Sequence, residues 1–335
     1  MSNTNTNLHR AKRIKDDEFY TTYETVKSEL IHYAAALQGK TVLCNCDHPI
    51  YSNFSRFFIH NFNAYGLKRL ICTSYCSNAS VAPTMFEITP QSVETINDDC
   101  HGLLLDVNSV DDSRPEEIYT HIKQLKGNGD FRSSECLAYL KECDIVITNP
   151  PFSLFKEFVA EIMRHNKKFL IIGNQNALTY KEIFPLLQNN TVWTGFQFGE
   201  MKFRVPANTK PRNTRYWVDE QGQKWRSLGN AMWLTNLDNE RRHRTLTLKS
   251  SYDPEKHRKY DNFDAIHIRN IGEIPADYSG IMGVPITIIN IYNSEQFEIV
   301  GEANHGSDSK YDIFKPLIDG KEVFKRILIR NKALV

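Results

Sequence analysis

The residues best suited to chemistry stand at 149–152, where the sequence reads Asn-Pro-Pro-Phe directly after the apolar run DIVIT (144–148). The Asn149 amide oxygen and the Pro150 carbonyl can each accept one hydrogen of an exocyclic amine, which turns the nitrogen lone pair toward a methyl donor. Pro150 and Pro151 stiffen the backbone that holds these acceptors, and Phe152 can stack on a planar base. The four residues are therefore predicted to catalyse methylation of a ring-bound amine. The competing interpretation is a Pro-Pro turn that only ends a strand and starts a helix.

The donor that this chemistry implies is S-adenosylmethionine, with S-adenosylhomocysteine as product. A nucleotide site usually shows a glycine-rich turn after the first strand, but TVLCNC (41–46) runs into Asp47-His48-Pro49 without a glycine. Asp47 is expected to face the cationic end of the donor or its ribose. The turn 127–131, with Asp130 and Phe131, is suited to hydrogen-bonding and covering an adenine ring, although such a sequence is more often only a turn.

The cysteines near this loop do not predict a metal site. Cys44, Cys46 and His48 lack a well-spaced second pair, because Cys72 and Cys76 follow a different strand. All seven cysteines lie between residues 44 and 143, too sparse for a disulfide framework in a chain of 335 residues. Reduced thiols are therefore expected.

Short apolar runs that alternate with amphipathic stretches predict an α/β fold with a doubly wound, mostly parallel sheet of the Rossmann-like type. Ligands bind such sheets beyond the carboxyl ends of the strands, and this is where Asp47 and Asn149 stand. Residues 76–128 are less periodic and are interpreted as an insertion with one strand. The pattern predicts helices over 23–37, 54–62, 134–141 and 154–165, and strands over 41–46, 67–75, 102–107, 144–148, 168–173 and 284–291.

Charge is distributed unevenly, although 41 basic residues nearly balance 40 acidic ones. Residues 86–144 hold 13 acidic and 5 basic side chains, whereas residues 201–260 hold 14 basic and 6 acidic ones. Basic residues interleaved with aromatic ones are typical of a surface that binds a polyanion. A solvated face over an aromatic core is the alternative interpretation of 201–260.

The composition, 41% apolar and 24% charged, excludes a wholly disordered or fibrous chain. No apolar stretch approaches the roughly 20 residues of a membrane helix, and no leader pattern is visible, so a cytoplasmic protein is expected. The domain prediction is a disordered tail over 1–15, a catalytic domain over 16–190 and a recognition region over 191–335.

Several long segments resemble the EcoRI-type adenine-specific DNA methyltransferase family, nearly over the whole chain. The similar segments are 11–24, 39–49, 52–54, 127–133, 144–158, 167–182, 230–238, 260–268, 280–288, 296–301 and 326–330. The resemblance implies a Rossmann-like methyltransferase fold with an appended C-terminal recognition lobe. It also implies that the protein methylates the N6 amine of an adenine extruded from a specific duplex DNA sequence.

The resemblance carries residue roles as well. Phe19, Tyr20 and Thr21 match the N-terminal donor motif, Asn45 and Asp47 the glycine-poor first loop, Asp130 and Phe131 the adenine end of the donor site, and Asn149, Pro150, Pro151 and Phe152 the catalytic motif. Without the resemblance, residues 17–21 could equally be a helix cap.

DNA contacts are expected from the basic-aromatic region 196–260 and from the rim of the base pocket beyond strand 168–173. Predicted contacts are Arg204, Arg212, Arg215, Arg226, Arg241, Arg242, Asn174, Asn176 and Tyr180. The expected setting is restriction-modification or phage self-protection in the cytoplasm of a bacterial cell, by a monomer without a metal. An RNA adenine methyltransferase and a catalytically silent, anti-restriction DNA-binding module are the alternatives.

Overall fold

A computed structural model describes residues 20–76, 100–303 and 316–334. The chain divides into two units: Met1–Gln175 with Gln197–Leu237, and Asn176–Phe196 with Asp238–Val335. The chain therefore enters the second unit, returns to the first and leaves it again. The basic-aromatic region is divided by this path, with residues 197–237 in the first unit and the remainder in the second.

The first unit is built on a mixed sheet of ten strands within the described residues. Its order is β1-β8-β10-β7-β6-β2-β3-β4-β5, with β9 also paired to β10. The strands are β1 (Tyr20–Thr21), β2 (Thr41–Cys44), β3 (Arg69–Thr73), β4 (Leu103–Val107), β5 (Lys123–Gln124), β6 (Ile145–Thr148), β7 (Lys168–Asn174), β8 (Trp193–Arg204), β9 (Tyr216–Val218) and β10 (Lys224–Thr235).

The centre of this sheet is parallel, as the sequence predicted. Strands β3, β2, β6 and β7 pair in parallel, and every residue of β2 and β6 is buried. Near-continuous apolar runs are what a strand covered on both faces requires. The outer strands differ, because β4 runs antiparallel to β3 and β10 antiparallel to β7.

Helices of the first unit begin at polar caps. Side-chain oxygens of Thr22, Ser52 and Ser133 accept backbone N–H groups at the starts of three helices, which satisfies donors that a helix leaves unpaired. The predicted helix over 23–37 is interrupted by a 3-10 turn at Ile31–Tyr33. The helices are α1 (Tyr23–Leu30), α2 (Ala34–Leu37), α3 (Asn53–His60), α4 (Ser134–Glu142) and α5 (Phe155–Arg164), with 3-10 segments at Pro115–His121 and Phe152–Leu154.

Within the described residues, the second unit has a four-stranded sheet, a two-stranded sheet and a short helix. The larger sheet has the order β11-β12-β16-β13, and β14 pairs with β15. The elements are α6 (Phe184–Gln188), β11 (Ile266–His267), β12 (Met282–Val284), β13 (Phe297–Ala303), β14 (Leu317–Ile318), β15 (Lys321–Glu322) and β16 (Arg326–Asn331), with 3-10 helices at Glu240–His243, Ile271–Glu273, Ile286–Ile291 and Lys332–Leu334.

The predicted strand over 284–291 is wrong beyond Val284. Pro285 follows β12, and Ile286–Ile291 form a 3-10 helix in which the Ile288 N–H donates to the Pro285 carbonyl at 3.0 Å. Proline has no N–H for a strand ladder, and its fixed φ suits the start of a helix.

The expectation of reduced thiols is wrong for two cysteines. Cys76 and Cys100 form a disulfide with an S–S distance of 2.07 Å. The antiparallel pairing of Thr73 with Leu104 explains their meeting, because it brings the residues just after β3 opposite those just before β4. Five described cysteines remain as thiols. Among the described residues, no helix has the length and apolar character needed to cross a membrane.

Helix α5, which follows the Asn-Pro-Pro-Phe motif, is held against β7 by a glycine. The Phe155 ring lies on Gly173, where a Cβ atom would come within 2.5 Å of the ring. Phe155 and Phe158 are buried on the face of α5 that packs on the sheet. Gly173 therefore sets how closely the start of this helix approaches the strand.

Gly173→Ala is expected to destabilise the protein by about 1–3 kcal/mol, because an added methyl group in a packed core forces side chains or backbone to move. Urea unfolding at equilibrium would measure the loss. Gly127→Ala is the matched control, since a Cβ at Gly127 meets no atom within 4 Å. Equal stability of the two variants would contradict this account of the helix packing.

Candidate active site

The buried carboxylate of Asp47 lies at the centre of the candidate site. One carboxylate oxygen accepts a hydrogen bond from Ser52 Oγ at 2.6 Å, and the other accepts from the Thr148 hydroxyl. The Asn149 backbone N–H also donates to this carboxylate, and the Asp47 N–H donates to the Thr73 carbonyl at 3.2 Å. Asp47 thus joins the carboxyl ends of β2, β3 and β6 to the start of α3.

The electrostatics of Asp47 follow from this position. Burial raises the pKa of Asp47 to about 6, and the hydrogen bonds from Ser52, Thr148 and Asn149 oppose that rise. The carboxylate is thus mainly ionised at pH 7, in a place where water solvates it poorly. A cationic ligand group beside it would stabilise the charged form.

The predicted catalytic residues occupy the predicted place in the sheet. Asn149–Phe152 follow β6 directly, and Pro150 is buried while Asn149, Pro151 and Phe152 are partly exposed. The Leu154 N–H donates to the Pro151 carbonyl at 3.0 Å, which opens the short 3-10 turn leading into α5. The motif therefore lies at the carboxyl edge of the sheet, and its first residue takes part in the Asp47 hydrogen bonds.

Asn45 and Thr21, both predicted to bind the donor, present buried oxygens without partners. Asn45 is 3% exposed and Thr21 is 5% exposed, and the Asn45 Oδ1 and Thr21 Oγ1 atoms have no hydrogen-bond partner within the described residues. Buried polar atoms are normally hydrogen-bonded, because an unmade bond costs about 1–3 kcal/mol. Two such oxygens indicate a place for a ligand that donates hydrogen bonds.

The N-terminal strand is connected to the same loop. Asn53 Nδ2 donates to the Thr21 carbonyl at 2.7 Å, and the neighbouring Ser52 donates to Asp47. Tyr20 pairs with Arg204 in the sheet. Phe19, the first residue of the predicted donor motif, lies outside the described residues.

The turn at 127–131 lies against the end of β3. Gly129 has φ +77°, and a Cβ atom there would overlap the Ser74 carbonyl oxygen, so the close approach requires glycine. Arg132 donates to Asp130 through Nε at 2.9 Å and Nη2 at 2.7 Å, which lowers the pKa of Asp130. Phe131 is buried and packs edge-on against Phe158. Donor contacts from Asp130 and Phe131 stay a prediction.

Three polar contributors to the site were not anticipated. They are Thr148, Ser52 and Ser74, and each is placed by tertiary contacts. Ser74 Oγ accepts the Leu103 N–H at 3.1 Å and so fixes the end of β3. A hydroxyl at the last residue of an apolar strand was the available signal for Thr148. A serine just before an apolar helical stripe was the signal for Ser52 as a cap.

The residues predicted for the rim of the base pocket divide between the units. Asn174, at the end of β7, accepts a hydrogen bond from Asn230 Nδ2 at 2.9 Å within the first unit. Asn176 and Tyr180 are exposed residues of the second unit. Their contact with a base stays a prediction.

Four of the six predicted DNA-contacting arginines are buried or have partners within their own unit. Arg204 lies over the Trp225 ring at 5.3 Å, and Arg226 is buried. Arg241 donates to the Phe196 carbonyl. The Arg242 guanidinium lies 3.3 Å from the Trp193 ring centroid and donates to Asn190 at 2.7 Å.

Arg212 and Arg215 differ from these four. Both are exposed, and within the described residues neither side chain has an ion pair or a hydrogen bond. They are therefore the arginines with guanidinium groups most available to a ligand. The described residues also contain no group of three or more His, Cys, Asp or Glu side chains placed to hold a metal ion.

Comparison with known proteins decides the family. A profile described as adenine-specific methyltransferase EcoRI matches residues 7–332. The chain belongs to this family. It is 40% identical over 335 residues to the type II methyltransferase M.EcoRI of Escherichia coli, an alignment that covers 99% of this chain and 98% of that protein.

Other relatives agree with this assignment. The type II methyltransferase M.MpnI of Mycoplasma pneumoniae is 35% identical over 299 residues, covering 88% of this chain and 84% of that protein. No solved structure matches the chain. The predicted class of enzyme, an adenine-specific methyltransferase, is confirmed, and the mixed α/β sheet is consistent with the methyltransferase fold.

Asp47→Asn should change how stability depends on pH. The folded-state pKa of Asp47, about 6, lies above its ordinary value of 3.8, so the wild type should lose stability as pH rises from about 4 to about 7. The variant lacks this loss, and its stability relative to the wild type should rise by up to about 3 kcal/mol over that range.

Urea unfolding of both proteins between pH 4 and pH 7.5 would test this expectation. Burial lowers the pKa of the neighbouring His48 to about 4, so His48 destabilises both proteins as pH falls below 6.5, and its contribution cancels in the difference. A difference that stays constant with pH would contradict the proposed state of Asp47.

Proposed function

We propose that the protein transfers the methyl group of S-adenosylmethionine to the N6 amine of an adenine extruded from a specific duplex DNA sequence. The observation that carries the proposal is the direct hydrogen-bonded connection between the Asn149–Phe152 motif and the loop after β2, through Asp47. A motif suited to orienting an amine and a loop suited to a charged nucleoside donor meet at one edge of the sheet.

The residues of the loop fit this donor. The Asn45 and Thr21 oxygens that lack partners would accept hydrogen bonds from its hydroxyl or amino groups. The Asp47 carboxylate would face its cationic portion or its ribose. When bound, the donor supplies a methyl group on a positively charged sulfur, which leaves as the neutral thioether.

The acceptor side depends on Asn149 and Pro150. Neither group ionises, so the pair orients the amine and does not act as a base. The hydrogen bond from the Asn149 N–H to Asp47 fixes the peptide between β6 and the motif, and the prolines fix the peptides that follow. Phe152, partly exposed at the start of the 3-10 turn, supports stacking of the base.

Duplex DNA is the proposed substrate because part of the chain has a large excess of basic side chains. Extruding a base costs a few kcal/mol of stacking and pairing, and phosphate contacts offset that cost. Residues 201–260 hold 14 basic side chains against 6 acidic ones. The proposed setting is restriction-modification or phage self-protection, with a monomer acting on one strand at a time.

Asn149→Ala should abolish methyl transfer while DNA affinity stays within a few-fold of the wild type, because the lost amide orients the amine and does not hold the duplex. Label transfer from radioactive S-adenosylmethionine to unmethylated duplex DNA, single-stranded DNA and RNA, with nucleoside analysis, would measure it. Asn189→Ala, at an exposed position, is the control and should keep full activity.

Each result of this assay discriminates between functions. Labelled N6-methyladenine from duplex DNA, lost in Asn149→Ala, supports the proposal. Label in RNA alone would make the protein an RNA adenine methyltransferase. Tight DNA binding without any transfer by the wild type would identify a catalytically silent module.

A further inference from the structure

Strand β10 continues well beyond the rest of the parallel sheet. Ala231–Thr235 pair with β7, whereas Lys224–Asn230 extend past the carboxyl end of that strand. On this extension, Trp225 pairs with Trp217 of β9. We call residues 205–230, which comprise β9, the extension and their connecting loops, the arm. The arm belongs wholly to the first unit.

The arm begins beside the catalytic edge. Asn230 Nδ2 donates to Asn174 Oδ1 at 2.9 Å, and Asn174 ends the strand that neighbours β6. Asn149 follows β6 directly. The root of the arm is therefore one strand away from the residues proposed to orient the amine.

Arg215 is held next to this root in a strained conformation. Its φ is +55°, in the left-handed region that favours glycine and is strained for other residues. The Ser227 N–H donates to its carbonyl at 3.1 Å. Its guanidinium covers Gly229, where a Cβ atom would overlap it. The fold thus fixes an exposed guanidinium over Gly229, two residues before Ala231 in the sequence. Among the described residues this guanidinium has no acidic partner.

The two tryptophans of the arm form an ordered aromatic face. Their ring planes differ by 4°, with centroids 6.1 Å apart. Trp225 Nε1 donates to Asp219 at 2.7 Å, and Arg204 lies over its ring. Trp217 and Trp225 are partly exposed, and the adjacent Val218 is 51% exposed. Trp217 is therefore backed by a fixed partner while part of its surface meets solvent.

The charge of the arm indicates what it binds. It has 5 basic and 2 acidic side chains, and one of the acids, Asp219, is engaged with Trp225. A positive loop beside a partly exposed aromatic pair favours a polyanion with planar groups over an acidic protein surface. A duplex from which one adenine has been extruded offers both phosphates and a base without its pairing partner.

We infer that the arm binds DNA beside the target adenine, with Arg215 on a phosphate and Trp217 stacked against the base left unpaired. This inference rests on the proposed function and deepens it, because it assigns a DNA contact to the catalytic unit itself. The stack would offset part of the cost of extrusion, since bases stack favourably on aromatic side chains.

The stacking role is tested with two duplexes of one sequence, one fully paired and one with a single abasic site that leaves the opposite base unpaired. The wild type should bind the abasic duplex more tightly. Trp217→Ala should reduce this preference by roughly 5- to 100-fold, leaving only the part that comes from having no base to extrude, while Trp217→Phe should keep most of it. A preference of unchanged size in Trp217→Ala, or an equal reduction in Trp217→Phe, would overturn the stacking assignment.

The phosphate contact is tested by the salt dependence of binding. Arg215→Ala should reduce the slope of log affinity against log salt by about 0.9 on both duplexes, the value for one lost phosphate contact. Gly229→Ala displaces the same guanidinium and should reduce the slope too. Lys123→Ala, an exposed charge on β5 at the other end of the sheet order, is the control. An unchanged slope in Arg215→Ala would overturn the contact.

Melting temperature and donor binding of each variant separate these roles from misfolding. The preference between two duplexes is a ratio within one protein, so a partly unfolded sample leaves it unchanged. A wild type that prefers the abasic duplex but methylates no DNA would refute the proposed function and leave the arm supported. A methylating wild type whose preference and salt slope are insensitive to the arm variants would refute only the arm.

Discussion

A single buried carboxylate organises the carboxyl edge of the large sheet, where the candidate active site lies. Parallel strands bring their carboxyl ends to one edge, but they do not fix the loops that follow. Asp47 does so by accepting from Ser52, Thr148 and the Asn149 N–H at once. Burying a charge is unfavourable unless donors surround it, so these hydrogen bonds connect the loop after β2, the cap of α3 and the Asn149–Phe152 motif.

This arrangement also accounts for the absence of glycine after the first parallel strand. A glycine-rich turn binds a nucleotide through close backbone approach and helix N–H groups. Here Ser52 caps the start of α3, and the loop presents the side-chain oxygens of Asn45 and Asp47. Such a loop suits the donor of the proposed function, which carries hydrogen-bond donors and positive charge, better than it would suit a phosphate group.

The elements that could be predicted from sequence are those in which one physical cause, such as burial on both faces of a sheet, sets the pattern of apolar residues. Strands β2 and β6 are covered on both faces and read as unbroken apolar runs, and the motif after β6 was placed correctly because loops follow strand ends. Pairing between distant segments has no such local signal: the β9–β10 pairing and the Cys76–Cys100 bond depend on antiparallel registers. The strand prediction over 284–291 was wrong because it gave more weight to the apolar composition of the run than to Pro285. Arginine composition likewise could not separate Arg242, covered by Trp193, from the exposed Arg215.

The path of the chain between the two units has a consequence for how recognition and chemistry are connected. A linear division would place all basic residues after about 190 in a separate recognition lobe. Instead β8 and β10 are strands of the large sheet, and β10 leaves the arm to hydrogen-bond with β7 over Ala231–Thr235. The strand that carries the arm is therefore separated from β6 by β7 alone. Because buried, hydrogen-bonded strands deform little, DNA bound to the arm would be held in fixed register with Asn149, and recognition in this part of the chain would be a property of the catalytic sheet itself.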